Sequence, residues 1–136
     1  MKHLRKIVVA VMIVVSLTGC LKGNFEFSEF GNGTTIKVKN AEDNSFGQGL
    51  VIAVDKNETV VISSSLDEGQ LKIEFMEVAV YTIDDVEHVD EFGIKETVIV
   101  KPGDSITVEL EPGSYRLDCT TIGATNGTVK VDTVKK

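Results

Sequence analysis

The chain has 136 residues, with 14 lysines and arginines against 21 aspartates and glutamates, which gives a formal net charge of −7 at pH 7. This length suits one domain, and the acidic balance argues against nucleic acid and anionic lipid headgroups as partners because both would repel the protein. The sequence has no tryptophan and only two tyrosines, so a platform of aromatic rings for stacking against sugars is hard to assemble.

The first residues have the pattern of a secretion signal. Lys2, Arg5 and Lys6 form a positive segment, and the apolar run from Ile7 to Leu17 follows them. That run is too short to cross the roughly 30 Å hydrocarbon core of a bilayer as a stable helix. The pattern predicts a cleaved signal peptide over residues 1–19. The remaining chain keeps 11 basic and 21 acidic residues, a formal charge of −10.

Leu17-Thr18-Gly19-Cys20 ends this segment and resembles the lipobox of bacterial lipoproteins. The resemblance implies that the Cys20 thiol is acylated and that the chain is cut just before it. Each buried methylene contributes about 0.8 kcal/mol, so two or three fatty chains would anchor the protein permanently. We therefore expect the protein at the cell membrane, lipid-anchored on the extracytoplasmic face. In a cell with two membranes, Leu21 after the cysteine favours the outer membrane. The alternatives are an ordinary secretory signal and an uncleaved membrane helix.

The remaining chain is predicted to be almost wholly β-strand. Residues 20–33 are interpreted as the lipidated cysteine and a short tether, in which Phe25, Phe27 and Phe30 alternate as in a strand. Residues 34–136 are interpreted as the folded domain. Apolar and polar residues alternate most clearly at 70–77 and 105–111. Further strands rich in valine, isoleucine and threonine are predicted at 34–39, 49–54, 59–63, 78–83, 97–101, 115–120 and 128–134.

Turn residues separate these strands at intervals of about ten residues. Pro102-Gly103 and Pro112-Gly113 fit type II turns, and Asn32-Gly33 and Asn126-Gly127 fit turns that need a positive φ. Residues 55–58 fit a hairpin tip. No segment of helical length shows a 3.6-residue apolar stripe. The spacing therefore predicts an all-β fold, a single antiparallel β-sandwich of about seven to nine strands.

Five carboxylates fall within eight residues at 84–91: Asp84, Asp85, Glu87, Asp90 and Glu91. Calcium takes six to eight oxygen ligands, and a segment of this density could supply several of them. The spacing does not follow that of an EF-hand loop. The irregular alternation is typical of a solvated loop or edge strand, where charge prevents strand-to-strand aggregation. The segment therefore has two interpretations, a metal site and a solvated acidic edge, and the second is favoured.

Glu111-Pro112-Gly113-Ser114-Tyr115 resembles the tyrosine corner of immunoglobulin-like and fibronectin type III-like sandwiches. In that motif an acidic residue, a small residue and a tyrosine occupy every second position, and here they are Glu111, Gly113 and Tyr115. The resemblance implies that the Tyr115 hydroxyl bonds the backbone a few residues upstream and pins the crossover between sheets. Leu117 stands where true immunoglobulin domains have a cysteine. A jelly roll or an open barrel could present the same turn.

Cys119 has no partner within the chain if Cys20 carries lipid. Period-two alternation places Cys119 with Tyr115 and Leu117 on one face, which predicts a buried small hydrophobe rather than a reactive thiol. Residues 112–119 also resemble the approach to the copper cysteine of cupredoxins, but such a site needs two histidines and the mature chain has one, His88. No cofactor is expected.

Catalytic motifs are lacking in the sequence, which contains no GxSxG, no HExxH and no phosphate-binding glycine loop. The sequence therefore predicts no catalytic function. In general layout the chain resembles small β-sandwich lipoproteins of Gram-positive bacteria. We expect an interaction or envelope-associated binding module that docks a protein partner at sheet edges or at the glycine-containing loops 47–49 and 121–127. The alternative is an accessory lipoprotein that binds an ion or small ligand with residues 84–91.

Overall fold

A computed structural model describes residues 24–136, and this part of the chain consists of seven β-strands joined by turns. The strands are β1 Phe25–Phe30, β2 Gly33–Ala41, β3 Phe46–Val54, β4 Glu58–Ile83, β5 Val86–Val100, β6 Ser105–Val108 and β7 Gly113–Lys135. Every strand pair is antiparallel. The prediction of an all-β antiparallel fold with seven to nine strands is therefore confirmed. The predicted signal peptide and Cys20 lie outside the described residues.

Two long strands, β4 with 26 residues and β7 with 23, run through the whole domain. The first half of β4 pairs with the second half of β7, and the second half of β4 pairs with the first half of β7. Their register shifts around Gly69, whose φ is 79°, and Gly123 in β7 also has a positive φ, of 75°. The segments predicted as separate strands at 59–63, 70–77 and 78–83 are thus one bent strand.

These bends divide the strands into two layers. One layer has the order β1-β2-β7-β4-β6 and contains the first half of β4, while the other has the order β3-β7-β4-β5 and contains its second half. The two layers bury one apolar core between them. Its fully buried side chains include Ile36, Val60, Ile62, Val129 and Val131 from the first layer and Leu71, Ile73, Phe75, Leu117 and Cys119 from the second. No helix within residues 24–136 has the length and apolarity needed to cross a bilayer.

Strand β1 begins the folded domain earlier than the sequence predicts. Phe25 and Phe27 are buried, and their rings stack with centroids 5.7 Å apart. They pack on β3, where a Cβ added at Gly47 would lie 2.7 Å from the Phe25 ring and one added at Gly49 would lie 2.6 Å from the Leu117 carbonyl oxygen. Residues 25–30 are therefore a core strand and not part of a tether.

The two segments expected to be permissive loops are also strands. Gly47 and Gly49 lie within β3, and residues 121–127 lie within β7. The glycines of β3 allow the two layers to approach closely, because any side chain there would overlap its neighbours. Glycine in a sequence can indicate a flexible loop, but at Gly47 and Gly49 its small size is what the packing requires.

Tyr115 stands at the start of β7 and is buried in the core. Its hydroxyl donates a hydrogen bond to the backbone carbonyl of Glu111, four residues upstream. Burial raises the pKa of Tyr115, and the nearby charges of Glu77 and Glu111 raise it further. The turn expected at Pro102-Gly103 is present, with Gly103 at a φ of 79° and the Asp104 amide donating to the Lys101 carbonyl at 3.1 Å.

The buried Cys119 thiol is expected to be unreactive until the protein unfolds. Burial raises its pKa well above the ordinary value of 9.0, and the charge of Asp118 acts in the same direction. Because the unfolded chain loses this proton at a lower pH than the folded chain, stability is retained below about pH 9 and falls as pH rises above it. Labelling of a Cys20→Ser variant with a disulfide reagent should be slow in native buffer and fast in denaturant.

A Cys119→Ala variant provides the control for the pH dependence. Its free energy of unfolding should fall less steeply between about pH 9 and about pH 10.5 than that of the parent. Tyr115, whose pKa is also raised, accounts for a remaining part of the fall. Rapid labelling of Cys119 in the native protein would show that the thiol is not enclosed by the core.

Candidate interaction surface

Strands β4 and β5 continue as a two-stranded ribbon beyond the point where β7 stops pairing with β4. The pairing of β4 with β7 stops at Val78 and Ser114, and from residue 79 onward β4 pairs with β5 alone. We call residues 79–90 the arm. Its five cross-strand pairs, at about 3.3 Å per residue, give it a length of about 17 Å.

Asp84 and Asp85 form the turn at the tip of the arm. Their φ angles are 51° and 63°, which are the two positive values of a two-residue type I′ hairpin turn. This turn matches the right-handed twist of the flanking strands, and aspartate tolerates the left-handed conformation better than most residues. The two carboxylates are therefore explained by backbone geometry without any ligand.

An Asp85→Gly substitution is expected to strengthen the arm. Glycine adopts a positive φ without steric cost, so the hairpin should gain up to about 1 kcal/mol. Because the arm lies beyond the core, the gain should appear as slower hydrogen exchange of arm amides rather than as a large change in global stability. Asp85→Ala serves as the control and should accelerate exchange. Equal exchange rates in the glycine and alanine variants would argue against a type I′ turn.

The strand register gives the arm two different faces. Ala79, Tyr81 and Ile83 lie opposite Asp90, His88 and Val86 on the first, which we call the aromatic face. The rings of Tyr81 and His88 stack there with centroids 5.3 Å apart and planes 16° apart. The Tyr81 hydroxyl donates to Asp90 Oδ1 at 3.3 Å. Partial burial raises the pKa of Tyr81, and the charge of Asp90 adds to that effect.

The five carboxylates of the acidic segment are dispersed over this structure. Asp84 and Asp85 lie in the turn, Asp90 is on the aromatic face, and Glu87 and Glu91 are on the opposite face. Within residues 24–136, no three histidine, cysteine, aspartate or glutamate side chains are grouped so that they could hold a metal ion. The geometry therefore gives no support to a calcium site in this segment.

Glu91 is held at the base of the arm by a buried arginine. Arg116 on β7 donates from Nε to Asp118 Oδ1 at 2.8 Å and from Nη2 to Asp118 Oδ2 at 2.9 Å. Its Nη2 also lies 2.5 Å from Glu91 Oε2. The hydrogen bonds to Asp118, and then the contact with Glu91, raise the pKa of Arg116. This cluster ties the edge strand β5 to β7 across β4.

The remaining carboxylates of the arm have no basic partner in the described part of the chain. Within residues 24–136, Asp84, Asp85, Glu87 and Asp90 take part in no ion pair. Both carboxylate oxygens of Glu87 are shielded from solvent and accept no hydrogen bond there. A shielded carboxylate without a donor costs free energy, and such groups are normally satisfied by a partner.

Exposed apolar side chains are concentrated on the same two strands. Of the ten large apolar side chains that are exposed in the described residues, seven belong to β4 and β5: Tyr81, Ile83, Val86, Val89, Phe92, Ile94 and Ile99. Phe92 is 59% exposed and Val86 is 56% exposed. Four of the seven, Tyr81, Ile83, Val86 and Val89, belong to the arm, and neighbouring exposed apolar side chains are typical of surfaces that contact other molecules. The sequence pattern did not reveal them, because valine and isoleucine in alternation equally predict a half-buried strand.

Comparisons with known proteins give likenesses of fold only. No protein-family model and no curated protein sequence matches the chain. Among solved structures it is similar to a hydroquinone 1,2-dioxygenase, with 17% identity and a TM-score of 0.36 over 80% of this chain and 61% of that chain. It is also similar to a structure of accessory secretory proteins 1, 2 and 3 of Streptococcus pneumoniae, with 16% identity and a TM-score of 0.37 over 84% and 92%. A third is a family 29 carbohydrate-binding module, with 13% identity and a TM-score of 0.35 over 83% and 76%.

One prediction made from the sequence is corrected. The lack of catalytic motifs predicted a protein that is not an enzyme, whereas the dioxygenase in this comparison is an enzyme. Motif searches detect only local signatures, and catalytic groups brought together from distant strands leave none. The prediction of no catalytic function is therefore withdrawn.

Proposed function

We propose that this protein is an interaction module held at the extracytoplasmic face of the membrane by a lipid on Cys20, and that its arm binds a protein partner. The observation that carries the second part is the concentration of exposed apolar side chains on β4 and β5. The first part rests on the lipobox-like Leu17-Thr18-Gly19-Cys20 and the signal-like segment before it.

Membrane fractionation of a Cys20→Ser variant tests the anchor. The parent protein should remain with the membranes after a high-salt wash and enter detergent, because fatty chains and not surface charge hold it. The variant should lose the acyl modification, which mass spectrometry of the intact protein would detect directly. A variant that keeps the parent's mass increment and membrane fraction would contradict the lipid anchor.

Site-specific photo-crosslinking in cells tests the arm. A photoreactive residue in place of Ile83 should give a discrete adduct, since this side chain is 53% exposed on the arm. The same residue in place of Val134, an exposed position on β7, is the matched control and should give none. Adducts at both positions, or at neither, would contradict binding through the arm.

A further inference from the structure

We propose that the partner of the arm is a protein with a cationic surface, and that Tyr81, His88 and Asp90 receive an arginine or lysine side chain of that surface. This inference rests on the proposed function of the arm as a binding surface. It adds the chemistry of the partner and the residues that anchor it.

The first argument is the charge of the arm. No lysine or arginine occurs from residue 73 to residue 94, while Asp84, Asp85, Glu87 and Asp90 have no ion-pair partner within residues 24–136. Grouped negative charges without counter-charges attract a cationic surface and repel an anionic one. A second copy of this chain would bring one acidic arm against another, so self-association through the arm is disfavoured.

The second argument is the chemistry of the aromatic face. An arginine or lysine binds well where an aromatic ring meets its cation and a carboxylate meets its N–H groups. Tyr81 and Asp90 provide such a pair, already joined by a hydrogen bond of 3.3 Å, and stacking on His88 fixes the orientation of the tyrosine ring. Ile83 and Val86, next along this face, are exposed and can pack against the aliphatic stem of the incoming side chain.

The third argument is independent and comes from the opposite face. Glu87 lies there, and both of its carboxylate oxygens are shielded from solvent without a hydrogen-bond donor in the described part of the chain. A cationic donor brought by a partner would satisfy this group. Positive side chains of the partner would then meet the arm on both faces.

The edge of β5 indicates how the partner docks. The register of β5 against β4 shifts twice, leaving Phe92 and Lys95 as extra residues in bulges. Bulges bend an edge strand and interrupt its row of free backbone groups, so they hinder the addition of a further strand there. The partner is therefore expected to contact the arm through side chains and not by extending the sheet.

Binding of a defined peptide to the full-length protein in detergent tests the inference. The probe is a fluorescent peptide of alternating arginine and valine, with a peptide of alternating glutamate and valine as the negative control. We expect the first peptide to bind, binding to weaken as salt increases, and the second peptide not to bind. A Tyr81→Ser/Asp90→Asn variant should lose about tenfold in affinity.

A Glu68→Gln variant is the matched control, because it removes one exposed carboxylate outside the arm. It should retain the parent's affinity within about twofold. Tyr81 and Asp90 are both exposed, so thermal melting should show that all variants remain folded. An equal loss in the arm variant and in Glu68→Gln would overturn the inference, because binding would then depend only on total charge.

The crosslinking experiment separates the two proposals. An adduct from position 83 with an acidic protein, together with no binding of the arginine peptide, would leave the arm as a binding surface and overturn its cationic partner. The absence of any adduct from position 83 would overturn the function of the arm itself, and with it this inference.

Discussion

Replacing Arg116 with methionine is expected to lower the free energy of unfolding by about 3–5 kcal/mol. Arg116 and Asp118 are both 7% exposed and joined by two hydrogen bonds. Without the guanidinium, Asp118 would remain shielded from water and carry an unpaired charge. Glu91 would lose its contact as well, so arm amides near residue 91 should exchange hydrogen faster than in the parent.

Urea denaturation and hydrogen exchange measure these effects, and two further variants define their cause. Arg116→Met/Asp118→Leu removes both charges and should recover much of the lost stability, since an apolar pair can replace a buried ion pair. Lys39→Met breaks the exposed pair of Lys39 and Glu26 and should change stability little. Equal losses in the free energy of unfolding for Arg116→Met and Lys39→Met would show that the buried pair of Arg116 and Asp118 stabilises the fold no more than an exposed pair does.

Replacing Gly69 with alanine is expected to have the next largest effect, a loss of about 3 kcal/mol or more. Gly69 has a φ of 79°, and an added Cβ would lie 2.4 Å from the Ala124 carbonyl oxygen and 2.7 Å from the Thr125 Cα. Both are backbone atoms of β7, so neither can move away by rotation of a side chain. The bend at which β4 passes between the layers would have to open.

Gly103→Ala separates the overlap from the backbone strain. Gly103 has the same φ of 79°, but no atom apart from those of its two chain neighbours lies within 4 Å of an added Cβ. Its replacement should therefore cost only the strain of a positive φ, about 1–2 kcal/mol. Comparison of the two variants by thermal melting gives the contribution of close packing at Gly69. Equal losses would mean that the layers do not approach closely at this bend.

Much of the fold could be predicted from periodicity, and the errors have physical causes. Alternation at 70–77 identified a strand correctly, but it continues through the glycine bends, so the division into short strands was wrong. Residues 25–30 alternate like any strand, yet only the contacts of Phe25 and Phe27 with β3 show that they belong to the core. Alternation places Arg116 and Asp118 on the face of β7 opposite Leu117 and Cys119 and by itself predicts exposed charges there, whereas their mutual pairing allows burial.

The candidate site was harder to predict than the strands. The acidic composition of residues 84–91 was evident, and an edge strand was among its interpretations. The arm begins where the pairing of β7 with β4 stops, at Val78. The alternation of side chains along β4 does not change at that residue, so the sequence gives no sign of the boundary. The exposure of Val86 depends on the same boundary. The stacking of Tyr81 on His88 needs the register set by the Asp84-Asp85 turn.

The central position of β7 has a consequence for how the chain acquires its structure during synthesis. Strand β3 pairs only with β7 within the described residues, and β2 and β4 both need β7 to join the layers. The ribosome makes this strand after the other six, so until residues 113–135 emerge the nascent chain can form hairpins but no closed core. Folding is therefore expected to wait until translation of β7 is finished. A chain that stays open for this long is in a suitable state to be threaded through a narrow protein-conducting channel.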